Sequence, residues 1–570
     1  MEAKDFDAIV IGSGPGGLGA ALPLAQAGKK VLICEQHDRP GGWMHSFTLD
    51  GHSFSTGVHY LGELLEGQTL FDMYTGLGVS QDMEWAEMNP EAYDHFFFED
   101  IGDFSLPTGQ ENYKNKLKEH FPHESKGIDK LFKTIDGIWG ILLAAIHQKL
   151  IVGSLPFLKY LPWNVRSAQS LIFKHVKDEK LRSILLAQAG DYAMQPSKAS
   201  AIGQAGIMKH YMGGCYYPVG GGKVIARAFV RAFKRAYAGK PKEEQGQIRL
   251  NCRVSEILLE KKKATGVRLE NGEVITADIV ISNADPYTTY NKMMDKPKLP
   301  YFYERKMKKT TYSASCFSLY LAIDMDLKAA GWHSGNHWLY KFSDIEKVYE
   351  LCQGDYPAVN EPPVMFTTVP TLKDPSKMKN GIHTMEVFAF TGYDFFKKWE
   401  HTSPDERSEE YEQAKEKVIE NIISVLERHT PGIKDKIVFK ELGTPLTNLH
   451  YINAHRGNAY QTDKGIFQMG VFGYGNKTPI KNLYLAGGSN AFHGIYFSTL
   501  SGIHTASQIL GKKYVDLLDQ NGPAIPIYPA EHPEQWPEGL RKKIEAGKEK
   551  KVPVEKIEKP VYAMEEEQLA

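Results

Sequence analysis

Six residues near the start of the chain have the types and the spacing of a dinucleotide site, because Gly12-Ser13-Gly14-Pro15-Gly16-Gly17 fits the pattern G-x-G-x-x-G. Gly12 allows a tight turn, Gly14 lets the backbone approach a pyrophosphate, and Gly17 lets a helix pack closely on a strand. The pyrophosphate would then lie on the unpaired N–H groups at the positive end of that helix. Glu35 follows about 20 residues later, where a carboxylate can accept hydrogen bonds from the ribose hydroxyls of an adenosine.

These residues need a strand, a helix and a second strand to position them, and the sequence supplies all three in order. Residues 7–11 form an apolar run that predicts a buried strand, residues 18–27 predict a helix, and residues 30–34 predict the next strand. A purely structural βαβ turn is the alternative interpretation. Pro23 lies inside the predicted helix, where a proline removes a hydrogen bond, so we expect the helix to kink or pivot there.

The stretch after Glu35 indicates which dinucleotide is bound. Arg39-Pro40-Gly41-Gly42 offers a second pair of glycines, and His52-Ser53-Phe54-Ser55-Thr56-Gly57-Val58-His59-Tyr60 follows soon after. This run resembles the FAD-binding start of the phytoene desaturase, carotenoid isomerase and retinol saturase family of FAD-dependent oxidoreductases. Two residues depart from the family pattern, since Trp43 stands where many relatives carry arginine and Ser55 replaces the usual aspartate. The retention of the glycine, histidine and tyrosine at the end of the run makes the retinol saturase branch the closer match.

The middle of the chain returns to the same predicted domain. Residues 213–223 resemble the family's Tyr-Pro-x-Gly-Gly turn and precede a predicted helix over 224–237. Strand-like runs come next, and they predict a β-meander followed by a buried strand; they cover residues 248–250, 253–259, 265–269, 274–277 and 278–284.

The last return to this domain lies near residue 480. Residues 444–448 and 454–460 resemble the retinol saturase stretch over the isoalloxazine ring, and residues 481–489 run from a strand into glycines before a helix over 495–510. Relatives usually carry an acid at the position of Gly488, and Ser489 and Asn490 are the candidates to replace it. The resemblance implies FAD contacts from one set of residues: Gly12, Ser13, Gly14, Pro15, Gly16, Gly17, Glu35, Gln36, Gly41, Gly42, Trp43, Gly57, Val58, His59, Val254, Ala284, Gly487, Ser489 and Ile495.

Reduction of a C=C bond by flavin needs hydride at one carbon and a proton at the other. The candidate proton donors are His59, Tyr60, His455 and His493, and the resemblance places His59 and His455 beside the flavin ring. Arg456 is a candidate to stabilise negative charge on the reduced flavin, or it forms a structural ion pair. A structural role, such as a hydrogen bond to a flavin carbonyl, is the alternative for each histidine.

Length and composition indicate two intertwined domains of ordinary globular character. The chain has 570 residues, 42% of them hydrophobic, and a formal net charge of -1. A chain of this length is too long for a single hydrophobic core. We find no basic block with interleaved aromatics, so nucleic acid is not an expected partner. The five cysteines are scattered without metal-ligand spacing. They predict reduced thiols, no metal site and a reducing compartment.

The resemblance implies an α/β fold with a Rossmann-type FAD-binding domain, built from a parallel sheet plus a β-meander, and an intertwined α+β substrate domain. The predicted FAD-binding domain is discontinuous and covers residues 1–95, 201–290 and 431–515. The predicted substrate domain covers residues 96–200 and 291–430. The polar remainder, 516–570, predicts a C-terminal arm or a disordered tail.

The predicted location is cytoplasmic, with possible attachment to a membrane surface. The first four residues lead directly into a strand, which predicts no signal peptide, and no apolar run is long enough to span a bilayer. Residues 127–174 combine apolar positions at helical spacing with a proline-broken apolar patch flanked by basic residues. This segment predicts either a buried core helix with a loop or an interfacial segment that lies shallowly in a membrane.

The resemblance implies an enzyme that acts on C=C bonds of a long hydrophobic polyene or isoprenoid, retinoid-like or carotenoid-like. Saturation is the expected reaction, with desaturation and cis–trans isomerisation as alternatives. A lipid chaperone like the GDP-dissociation inhibitors is a more remote alternative, and the complete glycine turn with Glu35 argues against it. The sequence has no second G-x-G-x-x-G after a strand. We therefore expect an external electron donor or acceptor, a transient visit by NAD(P)H, or a redox-neutral cycle.

Overall fold

The structure is a computed structural model that describes residues 4–147, 155–295, 299–490 and 492–549. Its strands are β1 Phe6–Ile11, β2 Val31–Cys34, β3 Ser46–Leu49, β4 His52–Ser55, β5 Trp85–Glu87, β6 Asp94–Phe98, β7 Gly102–Leu106, β8 Tyr216–Pro218, β9 Gln247–Arg249, β10 Val254–Glu260, β11 Lys263–Leu269, β12 Val274–Ser282, β13 Ser315–Ile323, β14 Asn336–Tyr340, β15 Val364–Thr368, β16 His383–Thr391, β17 Ile437–Gly443, β18 Leu483–Leu485 and β19 Ile527–Pro529.

The α-helices connect and cover these strands. They are α1 Pro15–Gln26, α2 Thr69–Gly76, α3 Gln110–His120, α4 Ser125–Ile146, α5 Ala168–Phe173, α6 Glu179–Leu186, α7 Ala201–Met212, α8 Lys223–Arg235, α9 Tyr301–Lys309, α10 Ile345–Cys352, α11 Tyr356–Val359, α12 Pro370–Lys373, α13 Glu409–His429, α14 Pro445–Ile452, α15 Gly494–Leu510 and α16 Glu538–Lys548.

The first sheet is the Rossmann-type sheet that the sequence predicts. Strands β18, β12, β1, β2 and β9 pair in parallel in that order, and β10 and β11 extend β12 as an antiparallel meander. All four residues of β2 are buried, as are Ile9 and Val10 of β1, which is typical of parallel strands covered on both faces. The α/β fold class is therefore confirmed. The predicted strand over 248–250 belongs to the parallel part, and the two runs over 274–284 form one strand, β12.

Helix α1 lies against α15 with the backbones in close contact. A side chain on Gly19 would meet the Thr499 backbone oxygen at 2.5 Å, and one on Gly502 would meet the Gly16 oxygen at 2.1 Å. Helix α1 continues through Pro23 to Gln26, and the predicted kink or pivot at this residue stays a prediction. Proline has no N–H to donate, but the turn that contains Pro23 lies near the end of the helix, where few backbone bonds depend on it.

The second sheet carries the other half of the protein, in the order β17, β13, β16, β15, β14, β6 and β7. Every residue of β13 and β16 is buried, because α13 covers one face and the largest aromatic core covers the other. Strand β17, which follows the predicted boundary at residue 431, pairs with β13 and completes this sheet. The predicted domain boundaries stay a prediction.

Helix α4 and the turn after it divide the predicted membrane segment into two parts. Leu131, Ile135 and Ile138 of α4 are buried in the aromatic core, so the helix matches the core interpretation. Residues 148–154 lie outside the described residues. Residues Leu155–Val165 form 3-10 turns that expose Leu158 at 45%. In the part of the chain that the structure describes, no helix is both long and apolar enough to cross a membrane.

The C-terminal segment packs on the body of the protein as far as it is described. Strand β19 pairs in parallel with β5, the Trp536 ring is buried, and Gly547 of α16 packs on the Met378 backbone. The disordered interpretation is therefore wrong for residues 527–548, and an arm is what the structure shows there. Residues 550–570 lie outside the described residues.

Candidate active site

One cavity of about 460 Å³ lies at the carboxyl ends of β1, β2, β12 and β18. This is the edge of a parallel sheet at which α/β proteins bind ligands. Two parts of its wall differ in chemistry. The nucleotide half contains Gly12, Gly14, Glu35, Gln36, Gly42 and Val254, and the aromatic half contains Tyr60, Trp338, Phe366, Phe388, Phe390 and Tyr460.

The glycine turn builds the wall of the nucleotide half from backbone. Gly12 has φ +89°, a left-handed conformation that favours glycine. A side chain on Gly17 would lie 2.0 Å from the Gly12 carbonyl oxygen, so only glycine lets α1 start this close to β1. Gly14 caps α1 without a side-chain hydrogen bond. The first N–H groups of the helix are therefore left for a phosphate, as the sequence predicts.

Glu35 is held in place by the turn that it faces. Its Oε2 accepts hydrogen bonds from the backbone N and the Oγ of Ser13, at 2.8 and 2.5 Å, and its Oε1 accepts from the His37 backbone N at 2.9 Å. A carboxylate has about four acceptor positions, so Oε1 retains one for a ribose hydroxyl. Ser13 thus positions Glu35 from behind the cavity wall.

The second glycine pair continues this wall. Gly41 and Gly42 have φ of +122° and +55°, and a side chain on Gly42 would lie 3.3 Å from the Gly14 Cα. Trp43 and Gly57 both line the cavity. A side chain on Gly57 would meet the Trp43 ring at 3.1 Å. The indole that replaces the usual arginine therefore packs on a glycine instead of offering a positive charge.

Gly488, where relatives usually carry an acid, has little free space around it. A side chain there would begin 3.0 Å from Gln461 Oε1 and 3.1 Å from the His493 Cα. Neither predicted replacement is part of the cavity wall: Ser489 Oγ donates to Gln461 Oε1 and Asn490 Nδ2 donates to the Gly475 oxygen. Their role in place of the acid stays a prediction.

The predicted cofactor residues divide into those on the wall and those behind it. The cavity is lined by Gly12, Gly14, Pro15, Glu35, Gln36, Gly42, Trp43, Gly57, His59, Val254, Ala284, Gly487 and Ile495. The supporting positions behind this wall are Ser13, Gly16, Gly17, Gly41, Val58 and Ser489.

The structure brings Tyr60 and His59 to the cavity. The Tyr60 hydroxyl lies 3.2 Å from Asp191 Oδ1 and 3.3 Å from Asp94 Oδ2. His59 Nδ1 lies 3.2 Å from Glu386 Oε2. Burial lowers the pKa of His59 below its usual value, although Glu386 opposes this, so the imidazole is neutral at pH 7 and is a weak acid.

The structure does not bring His455 and Arg456 to the cavity. The His455 ring stacks on Tyr287 with centroids 3.9 Å apart and contacts Tyr312 edge-on. The Arg456 guanidinium pairs with Asp394 at 2.7 Å on the surface. Arg456 therefore takes the structural ion-pair alternative. Neither side chain is part of the cavity wall, and the position of His455 beside the flavin stays a prediction.

His493, the remaining candidate donor, lines the cavity and stacks on Tyr460 at 4.3 Å between ring centroids. Burial lowers its pKa well below the usual value, and the positive charge of Lys464 adds to this effect. Like His59, it is a neutral ring and a poor proton donor at pH 7.

Asp191 and Asp94 are the buried acids that sequence reasoning missed. Asp191 lines the cavity, and burial together with the Asp94 charge raises its pKa well above the usual value. Asp94 accepts hydrogen bonds from Asn336 Nδ2 and Trp338 Nε1, at 3.0 and 3.2 Å. These bonds moderate the rise that burial causes in its pKa.

Glu386 and Lys373 complete the buried charges beside His59. Glu386 Oε1 accepts from the Ser55 backbone N at 2.7 Å, so a carboxylate from β16 stands next to the residue that replaces the family's aspartate. Lys373 Nζ donates to the His59 backbone oxygen at 2.7 Å. No spacing in the sequence indicates these contacts, because the partners are hundreds of positions apart.

The residues present fit FAD. The glycine wall, the uncapped start of α1 and the positioned Glu35 suit a pyrophosphate and an adenosine ribose, and the aromatic half leaves a second, apolar region for a substrate. The fold and this site define the chain as an FAD-dependent oxidoreductase.

The chain belongs to the flavin containing amine oxidoreductase family, whose sequence model matches residues 15–510. It is 31% identical over 539 residues to all-trans-retinol 13,14-reductase of Danio rerio, with 89% of this chain and 86% of the relative covered. It is 28% identical over 545 residues to prolycopene isomerase 1, chloroplastic, of an Oncidium hybrid cultivar, covering 91% and 86%.

Solved structures show the same fold. An oxidoreductase from Methanosarcina mazei matches with a TM-score of 0.57 and 18% identity, covering 89% of this chain and all of that one. Putrescine oxidase bound to putrescine matches with a TM-score of 0.59 and 15% identity, covering 89% and 99%. The family model and the retinol reductase relative confirm the predicted flavin family.

Proposed function

We propose that the protein saturates a C=C bond of a long hydrophobic polyene, retinoid-like or carotenoid-like. The observation that carries the proposal is the aromatic half of the cavity, with the carboxyl group of Asp191 on its wall. Relatives named all-trans-retinol 13,14-reductase support a substrate of this class. An elongated apolar molecule would replace water along these rings, since apolar burial contributes about 25 cal/mol per Å².

We assign the proton transfer of this reaction to Asp191 and Tyr60. Bound flavin supplies the electron pair and hydrogen for one carbon of the double bond. The other carbon needs a proton, and Asp191 is the candidate donor because burial and the Asp94 charge raise its pKa and so favour the protonated carboxyl group. The Tyr60 hydroxyl between Asp191 and Asp94 can accept from one carboxyl and donate to the other. This arrangement supports return of a proton to Asp191 after each turnover.

The test is a single turnover without oxygen. The flavin is reduced chemically, all-trans-retinol is added, and flavin absorbance and product mass are followed. We expect the flavin to reoxidise stoichiometrically while the product gains two hydrogen atoms. Recovery of unreacted retinol with flavin still reduced would contradict the proposal for this substrate.

Cis–trans isomerisation is the second candidate, favoured by the prolycopene isomerase relatives. It would give an isomeric product of unchanged mass, with the flavin still reduced at the end. Desaturation would need the opposite starting state, oxidised flavin with a saturated substrate. The same experiment therefore separates the three reactions.

We also propose contact with a membrane surface through an exposed apolar patch. The patch consists of Leu158, Leu161, Val165 and Phe467, which are 44–72% exposed, and the exposed basic residues Lys159 and Arg166 flank it. Apolar side chains with basic neighbours are typical of interfacial attachment. A protein that takes its substrate from a membrane would use such a surface.

Liposome flotation tests this attachment. Replacing Leu158, Leu161 and Val165 by serine should reduce the fraction that floats with anionic vesicles. Val359→Ser and Val438→Ser, at equally exposed positions elsewhere, serve as controls. Equal flotation of all variants would contradict the proposal.

An external electron donor is the remaining partner that we propose, because a saturase consumes one electron pair per turnover. Stopped-flow reduction of the bound flavin by NADPH, NADH or a reduced protein carrier would identify its class. A flavin that none of these reduces would contradict reduction by those donors.

A further inference from the structure

Four histidines meet on the face of the second sheet that is turned away from the cavity. His95 lies on β6, His337 on β14, His333 just before β14, and His429 at the end of α13. Side chains alternate along a strand, and Phe96 and Trp338 point into the aromatic core, so their neighbours His95 and His337 point to the opposite face. The ligand nitrogens of His95, His333 and His337 lie within 4.8 Å of one another.

Hydrogen bonds prepare two of these rings for a metal ion. His95 Nε2 lies 2.8 Å from Asp103 Oδ2. Since a carboxylate only accepts, Nε2 carries the proton and Nδ1 keeps a lone pair. His337 Nδ1 lies 3.2 Å from His429 Nε2, and His337 Nε2 is buried without a hydrogen-bond partner. Metal-binding histidines commonly have such a second partner, which fixes the ring and its tautomer.

His333 is the ring that must adjust. Its Nδ1 accepts from the Gly335 backbone N at 2.9 Å, and coordination through Nδ1 would replace this bond. Tetrahedral zinc with Zn–N distances of about 2.0–2.1 Å places its nitrogens roughly 3.3 Å apart. The cluster must therefore contract by about 1.5 Å at its widest. His333 and His95 are only partly buried, so they can make most of this movement.

We propose that His95, His333 and His337 bind one divalent transition-metal ion of the zinc class, with water as the fourth ligand. Imidazole nitrogens are suitable ligands for zinc, copper and nickel. The sequence analysis predicts no such site: His333 and His337 are only four residues apart, but the third ligand, His95, lies more than two hundred residues earlier in the chain and meets them only through the pairing of β6 with β14.

The ion would have a structural role. It would link side chains of β6 and the β14 segment, two strands that already pair with His95 opposite His337, and on the cavity side of these strands Asn336 and Trp338 both donate hydrogen bonds to the Asp94 carboxylate. The ion would therefore add a side-chain connection to the backbone pairing behind Asp94. This role does not depend on which reaction the enzyme performs.

The test uses the FAD-loaded protein, treated with a chelator and then dialysed against Zn²⁺. We expect about one tightly bound zinc per chain by elemental analysis. With Co²⁺ as the probe, we expect the visible absorption of a four-coordinate ion. The double variant His95→Gln/His333→Gln should lose the bound ion. His401→Gln is the matched control, because its side chain is 89% exposed and outside the cluster.

A second variant keeps the test decisive if the double variant folds poorly. Asp103→Asn removes the carboxylate behind His95 at a position with 62% side-chain exposure. It should weaken zinc binding by about 10–100-fold, while flavin content stays at the wild-type level and reports a normal fold. Folded wild-type protein without stoichiometric zinc, or equal zinc in the wild type and the folded double variant, would overturn the proposal.

Discussion

The two halves of the cavity are built in opposite ways. The nucleotide half comes mostly from one continuous stretch, residues 12–57, and its chemistry is that of the backbone: helix N–H groups, left-handed glycines and one positioned carboxylate. The aromatic half collects side chains from β14, β15, β16 and two distant loops. The residues of the nucleotide half are therefore close together in the sequence, whereas those of the aromatic half come together only when the second sheet forms.

The halves also differ in where their charge lies. In the nucleotide half, Glu35 faces the helix start, and its carboxylate oxygens accept three hydrogen bonds. In the aromatic half, burial makes charge costly, and this cost raises the pKa of Asp191 and lowers the pKa of Lys373 to about 7. One half is thus suited to hold a charged cofactor, and the other to hold or release a proton.

Gly14→Val should have the largest effect, and it should act on the nucleotide half alone. A side chain at Gly14 would begin 2.7 Å from Asn283 Nδ2 and extend into the space of the pyrophosphate. We expect purified protein with little or no FAD, measured as flavin released on denaturation. Gly539→Ala, where an added carbon meets nothing within 4 Å, is the control. Wild-type flavin content in Gly14→Val would contradict the assignment of this half.

Asp191→Asn should have the next largest effect, with the nucleotide half left intact. An amide cannot donate the proton that the carboxyl group supplies, so reoxidation of reduced flavin by substrate should slow by about 10²–10⁴-fold. Flavin content should not change. Asp405→Asn, at an exposed position, is the control. A rate within a few-fold of wild type would remove Asp191 from the mechanism.

The difference between the nucleotide half and the aromatic half also explains which parts of the site the sequence could predict. The βαβ unit, the meander and the glycine positions follow from local patterns, and thirteen of the nineteen predicted cofactor residues line the cavity. The acids of the aromatic half could not be found in this way. Asp94 and Asp191 come together through Tyr60 because two sheets and a helix layer pack, and no local pattern in the sequence records that packing.

Stability should report the raised pKa of Asp191 without any assay of activity. A carboxyl group whose pKa is higher in the folded than in the unfolded state binds more protons when folded, so it makes stability fall as pH rises above the unfolded value. Above that pH, ionising the buried Asp191 carboxyl group lowers the free energy of unfolding of the wild-type protein. Asp191→Asn should therefore raise the melting temperature relative to wild type at pH 8 by about 1–2 °C, and by less at pH 5. An equal difference at both pH values would contradict the raised pKa.

Phe366→Leu should have a smaller effect, confined to substrate binding. The Phe366 ring packs against Trp338 and His59, with centroids 4.8 and 5.3 Å apart. Loss of one aromatic contact costs about 1 kcal/mol, which is roughly a fivefold weaker Kd for the polyene. The measurement is polyene titration of the oxidised enzyme, with flavin content as the check. Phe302→Leu, at a ring that is 80% exposed, is the control, and an unchanged Kd would argue against substrate in this half.

His455→Gln should have the smallest effect on the rate of flavin reoxidation. It tests whether His455, which lies outside the cavity wall, takes part in proton transfer. The resemblance to the retinol saturase family places this histidine beside the flavin, but its ring lies between Tyr287 and Tyr312 outside the cavity wall. Burial lowers its pKa, so it is neutral and holds no proton suited to donation at pH 7. We expect reoxidation of reduced flavin within about twofold of wild type, compared with the 10²–10⁴-fold loss for Asp191→Asn. A loss of that size in His455→Gln, at full flavin content, would return the proton transfer to His455 and leave Asp191 as a buried structural acid.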